Sequence, residues 1–230
     1  MNGPDIKVVI HQPDFLPYIG FFDRLKLADK YVVLDHVKLS KSGWTHRDKI
    51  LTESGVEWLS VPIVGLKKEP LIKDALISHG KEYDKIVRRL YSAYRLCPYF
   101  KIVFPKLECI FNKKPTKLIE LNTSLINLVL ELLEIKIPIF YSSKLDIKLT
   151  RSEMNAEITK CCGGNVYLSG MGAQNYHLEQ PFISGGIVVK WRDFNPFKYK
   201  QTVEGFVPQL SIVDLLMNLS TNEIMDKIGK

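Results

Sequence analysis

Three short segments of the chain gather residue types that do chemistry. The first is His11-Gln12-Pro13-Asp14, followed by Tyr18 and Gly20. It places an imidazole, an amide and a carboxylate on one turn. Gly20 would let a ligand come close to the backbone, and the helix start behind it offers free N–H groups to an anion. The second runs from Asp35-His36 through Lys41, Trp44, His46, Arg47 and Lys49. Trp44 can stack on a base or sugar, Arg47 can grip a phosphate or carboxylate through two nitrogens, and His46 titrates near neutrality as a general base. The third is the loop Ser169-Gly170-Met171-Gly172. Its backbone amides can cradle a phosphate or an oxyanion, and Ser169 adds a hydroxyl donor. The first two segments also read as a plain turn and a solvated basic loop. Ser169 lacks the GxSxG surroundings of a hydrolase nucleophile, and Cys161-Cys162 at a helix end reads as structural.

The elements that must position these residues follow from apolar periodicity. Ile6–His11 is a buried strand stopped by Pro13 and Pro17; Tyr18–Lys30 has helical spacing through Phe21, Phe22, Leu25 and Ala28; Tyr31–Val37 is a second strand. A strand–helix–strand unit of this kind pairs parallel strands and binds ligands beyond their carboxyl ends. Glu57–Val64 reads as a strand behind the basic loop SKSGWTHRDKI, and Leu71–Ile77 as a strand or short helix. Helices are expected at Lys81–Leu96, Lys101–Phe111 and Pro115–Glu134. A helix opened by Thr150 and Glu153 at capping-box spacing leads to strands at Asn165–Leu168 and Gly186–Trp191. A last helix begins at Ser211, with Asp214 three residues on. Phe194, Phe197, Tyr199 and Phe206 read as core or pocket wall. The fold expected is α/β, a mostly parallel sheet with a Rossmann-like opening and a helical section at about 80–135, forming one domain over 1–230.

Composition narrows the function classes. With 46% hydrophobic and 25% charged residues, the 230-residue chain is neither disordered, collagen-like nor a coiled coil. Its 32 basic and 25 acidic side chains leave +7, which favours anionic partners: a nucleotide, a phosphorylated substrate, RNA or a membrane face. The basic residues are spread out, which suits a phosphate-binding enzyme better than a nucleic-acid coat. Four cysteines without a CxxC suggest neither a disulfide framework nor a zinc site, and no metal or cofactor is specified. No apolar run reaches the roughly 18–20 residues of a membrane span, and Asp5 interrupts any leader, so a cytoplasmic protein is expected.

Taken in order, QPDFLPYIGFFD, LADKYVVLDHVKLSKSGWTHRDKI, YLSGMGAQNY and FVPQLSIVDLLMN resemble the WbqC-like protein family. AYRLCPYF and LIELNTSLINLVLELLEI match its helical section. The resemblance implies a setting in bacterial O-antigen and other surface-polysaccharide synthesis. It carries recurring polar positions over to Gln12, Asp35, Trp44, Arg47, Ser169, Gly170 and Asp214. This chain departs from the pattern at His36, where the family tends to have Asp, and at His46, where it tends to have Asn. The opening is also similar in topology to HxGH nucleotidyltransferases and pantothenate-synthetase-like ligases, but Tyr18 and Phe21 stand where the two histidines belong.

The function expected is transfer of an acyl or aminoacyl group to the amine of a nucleotide-linked amino sugar. In that reading His11, His46 and Asp35 are catalytic, with His11 or His46 removing the amine proton. Gln12, Asp14, Tyr18, Lys41, Trp44, Arg47, Lys49, Ser169, Gly170 and Gly172 bind substrate. The alternatives are an ATP-dependent ligase or nucleotidyltransferase, and a non-catalytic module that binds RNA or a partner protein.

Overall fold

The computed structural model describes residues 4–230. The leaderless reading of the chain's start therefore lies partly outside the described residues. Seven strands and eight helices are present among them: β1 (Lys7–His11), α1 (Ile19–Leu27), β2 (Lys30–Val33), β3 (Arg47–Thr52), β4 (Gly55–Ser60), α2 (Lys81–Tyr94), α3 (Phe100–Asn112), α4 (Leu118–Leu132), β5 (Ile139–Tyr141), α5 (Arg151–Cys161), β6 (Val166–Gly170), α6 (Gln180–Ser184), β7 (Val188–Arg192), α7 (Ile212–Asn218) and α8 (Thr221–Met225). Five strands form a parallel sheet in the order β5-β2-β1-β6-β7. This is the α/β architecture expected from the sequence, with the helical section realised as α2, α3 and α4.

Strand alternation divides the core between the two faces of this sheet. Val9, Tyr31, Val33 and Leu168 pack with Phe21, Phe22 and Leu25 of α1 and with α7. Val8, Ile10, Val32 and Tyr167 face Met154 and Ile158 of α5 and Phe182 of α6. Both faces are covered, as a parallel sheet requires.

Several boundaries differ from the sequence reading. The supposed basic loop already contains β3, which forms an antiparallel hairpin with β4 apart from the main sheet. Its turn at Thr52-Glu53-Ser54-Gly55 was masked by the charged residues around it. Leu71–Ile77 is a 3-10 turn at Ile72–Asp74, flanked by isolated bridges. The three-residue β5 is too short to show a period. Thr150 precedes α5 without capping it through its side chain. Ser211 caps α7 by accepting from Val213 N, while Asp214 turns inward. A capping box forms instead at α8, between Ser220 and Glu223. Of the four thiols, Cys97 and Cys162 are buried, but Cys109 and Cys161 are exposed. No helix among the described residues is long and apolar enough to cross a membrane.

Candidate active site

The strand order reverses between β1 and β6: the chain leaves β1 towards β2 and β5, and leaves β6 towards β7. Beyond the carboxyl ends of two such strands the departing loops separate and open a crevice. Here that crevice receives His11–Asp14 from β1 and Ser169-Gly170 from β6.

The β1 end is tied to the hairpin loop by buried polar contacts. Thr45 Oγ1 lies 2.8 Å from Gln12 Oε1 and 3.0 Å from Asp14 Oδ1. One hydroxyl proton cannot serve two acceptors, so either Asp14 is protonated or the Gln12 amide is turned to donate. Burial favours the first, because it pushes the Asp14 carboxyl up to about 7 against the opposing pull of Thr45 and Arg24. From α4, the amide of Asn122 donates to Pro13 O at 2.6 Å and to Thr45 O at 2.7 Å. Asn122 is fully buried, the one polar residue in a stripe of leucines and isoleucines. That polar interruption was the sequence signal for it, and reading the helix only for periodicity passes over it.

His11 stands edge-on to Phe21, with ring centroids 5.3 Å apart, and its Nδ1 lies 2.9 Å from the Gln12 carbonyl. A carbonyl only accepts, so Nδ1 carries the proton and Nε2 holds the lone pair. Nε2 has no protein partner among the described residues. Burial and, secondly, the charge of Arg24 hold the imidazole far below its usual pKa. His11 is thus a neutral but weak base, while Asp14 is the group poised near neutrality.

Arg24, on α1, is a further residue that the sequence reading passes over. It is 8% exposed, and no ion pair or hydrogen bond to protein reaches it among the described residues. Its Nη1 lies against Gly170 and its charge acts on His11 and Asp14, which sets the guanidinium between the ends of β1 and β6. Helical side chains lean towards the helix N-terminus, which carries this one up to the strand ends. A Cβ on Gly170 would lie 2.9 Å from its Nη1, so glycine there makes room for the guanidinium. The neighbouring Asp23 makes no ion pair with it, both of its oxygens being held by Arg192 at 2.6 and 3.0 Å. Arg24 sits three residues after Phe21 on the buried face of α1, and an arginine in an apolar stripe was the available clue. A buried, unpaired guanidinium open to a crevice is a ready site for a phosphate or carboxylate.

The other expected site residues are distributed differently. Gly170 faces Arg24, but Ser169 points to the opposite face of the sheet with Tyr167. Gly172 lies in an exposed 3-10 turn, Met171–Tyr176, with nothing near its absent Cβ. The room at Gly20 is taken by the Tyr18 ring, whose Cζ would come within 2.3 Å of a Cβ there. Asp35 spends both oxygens on a clasp between the ends of β2 and β5: Ser142 Oγ donates at 3.0 Å, Ser143 N at 2.8 Å and Ser143 Oγ at 2.7 Å. His36 joins the clasp through Nδ1, 2.6 Å from Ser142 Oγ. Asp35 is accordingly a positioning group rather than a free base. Asp214 is likewise enclosed, accepting from Tyr199 at 2.6 Å and Gln201 at 3.0 Å.

The hairpin splits the basic segment between two sides. Thr45 and Asp48 turn inward, and burial, aided by the Asp14 charge, pushes Asp48 up to about 8. His46 is buried with Nδ1 unpartnered, and burial lowers its pKa. Trp44, Arg47 and Lys49 instead form an outer cluster with Trp58, and Lys41 is exposed.

Comparison with known proteins finds similarity over nearly the whole chain. An uncharacterized protein of Mycobacterium tuberculosis is 30% identical over 217 residues, covering 93% of this chain and 94% of its own. No solved structure matches the chain significantly. The model of the WbqC-like protein family matches residues 12–226, from the β1 end through α8. The hairpin, the helical section and the crevice residues from Gln12 onward fall within that span, and the chain belongs to the WbqC-like protein family.

Proposed function

We propose that the chain is an enzyme of bacterial surface-polysaccharide synthesis that binds a phosphorylated sugar precursor in the β1–β6 crevice and transfers an acyl or aminoacyl group to its amine. The observation that carries the reading is Arg24, a buried guanidinium with no protein anion, aimed past Gly170 at the switch point of the sheet. Arg24 takes over the phosphate-holding role expected of Arg47 and Lys49, which lie on the outer face of the hairpin, and of the exposed Lys41. The polysaccharide setting comes from the family, and cytoplasmic residence fits a nucleotide-linked substrate.

In the reaction the amine nitrogen attacks the acyl carbon, the carbonyl oxygen gathers negative charge, and the donor's leaving group departs. One proton must leave the nitrogen. Asp14, near neutrality and beside the β1 end, suits that transfer better than His11, whose lone pair is held far below neutrality. In this reading Gln12 and Thr45 orient the sugar, and the backbone amides following Ser169 support the oxyanion.

Ligation through ATP fits less well. Of the two positions that would supply HxGH histidines, Phe21 is buried against His11 and Tyr18 covers Gly20. A thermal-shift panel with UDP- and dTDP-linked amino sugars, acetyl-CoA and ATP tests the proposal, since a ligand specific to the native state raises stability. Stabilisation by an amino-sugar nucleotide that vanishes in Arg24→Met supports it. Stabilisation by ATP alone would replace it with the ligase reading.

A further inference from the structure

The outer face of the β3–β4 hairpin carries a cluster that the crevice does not use. Trp44 and Trp58 are 45% and 39% exposed, their ring centroids 5.2 Å apart and tilted by 42°. The Arg47 guanidinium lies 4.2 Å over Trp58, and Lys49 Nζ stands 5.3 Å from Trp58 and 5.7 Å from Trp44. The register explains the grouping: Lys49 pairs with Trp58 and Arg47 with Ser60, so these side chains emerge on one face while Asp48 and Leu59 point inward. Neither Arg47 nor Lys49 has a carboxylate partner among the described residues. Arg47 donates only to the Ser42 carbonyl, and its buried Nε has no partner at all. Beside Trp58 a groove of about 260 Å³ is lined by Ser60, Pro62, Glu82, Lys85 and Arg89. That is below the usual range for a whole drug-sized ligand and suits a single ring.

We infer that this face is a second binding site, separate from the crevice, for a nucleobase and its attached phosphate. Exposed tryptophans offer a base an apolar plane, Arg47 and Lys49 near the rings meet the phosphate, and Ser60, with the Glu82 oxygen that Lys85 leaves free, supplies a donor and an acceptor for base edges. The cations without carboxylates decide against a neutral sugar, which would find no partner for that charge. A free nucleotide and a single-stranded RNA share this chemistry.

The test is tryptophan fluorescence in a Trp191→Phe background, where only Trp44 and Trp58 report. UMP, UDP and AMP are titrated against inorganic pyrophosphate, and a short oligo(U) against all three. Quenching by nucleotides but not by pyrophosphate is expected. Arg47→Gln and Lys49→Gln, which leave the exposed rings in place, weaken it, and Trp58→Ala lowers affinity at least about fivefold, from the usual contribution of base stacking. Stabilisation by pyrophosphate, which reads Arg24, persists in these variants, so failure here and failure of the crevice are separable. Stronger, steeply salt-dependent quenching by oligo(U) would assign the ligand to RNA, and equal quenching per base to free nucleotide. Absence of quenching by every nucleotide, or quenching unchanged in Trp58→Ala, would overturn the inference.

Discussion

Replacing Arg24 with methionine separates stability from function. Arg24 is only 8% exposed as a residue and makes no ion pair with a carboxylate among the described residues. Removing it from water costs several kcal/mol when no ligand is present, and apolar substitutes for buried ionic groups stabilise proteins by about 1–4 kcal/mol. Methionine follows the same path along α1 and fills the space beside Gly170 without a charge. Taking about 2 kcal/mol, and about 2–4 °C of Tm per kcal/mol for a chain of this length, the ligand-free variant should melt about 4–8 °C above wild type. Pyrophosphate at a hundred times its Kd should raise the wild type by about 2.7 kcal/mol, hence about 5–11 °C, and leave the variant unmoved. Differential scanning calorimetry of both proteins, with and without pyrophosphate, reads all four temperatures. A variant that melts below wild type, or that keeps the pyrophosphate increment, would refute the view of Arg24 as an unpaired charge awaiting an anion.

Four further outcomes follow from the same geometry. An anion on Arg24 cancels the charge that depresses His11 and Asp14, so both pKa values should rise and protons should be taken up; NMR titration of His11 with and without pyrophosphate checks this, and an unmoved midpoint contradicts it. Asp14 and Asp48 have folded pKa values of about 7 and about 8, above the unfolded carboxylate value, so the native state binds the extra protons and stability declines as pH rises from about 4 to 8. His11, depressed in the fold, opposes that slope below its ordinary pKa of about 6.5. In Asp14→Asn with Asp48→Asn the decline should flatten in urea unfolding at several pH values, and an unchanged slope would count against the assignment. Asn122→Ala strands two buried carbonyls, at a cost of about 2–4 kcal/mol in the same assay; a loss under about 0.5 kcal/mol would mean that water replaces the amide. Arg192→Met leaves Asp23 buried and uncompensated except for the Gly229 N–H, and should cost about 3–5 kcal/mol, whereas a neutral result would show that Asp23 takes up a proton.

The order of the main elements was readable because each core strand and long helix carries its own pattern. Val8, Val9 and Ile10 on β1, the Phe21-Phe22-Leu25 stripe of α1 and the leucines of α4 state their burial locally. The hairpin was read only in half. β3 opens on three consecutive charged residues, one of which, Asp48, turns inward, so Arg47, Asp48 and Lys49 look like loop until their partner strand is known. The His11–Asp14 turn and the Ser169-Gly170 segment were legible as candidates, since polar residues at strand ends are where α/β sheets place ligands.

What the sequence determined by itself was the family, the α/β class, the basic surface and the residues at the two strand ends, all of which rest on neighbours in the chain. What only the tertiary structure decided was which of those residues share a space. Parallel pairing of β1 with β6 sets His11 beside a segment more than 150 positions away. The lean of α1 brings Arg24 to Gly170, and alternation turns Ser169 and Arg47 to faces where they do not meet it. An unpaired charge is defined by the absence of a partner, and a linear sequence cannot show that Asp23 is already bound to Arg192 until the sheet has placed β7 alongside β6.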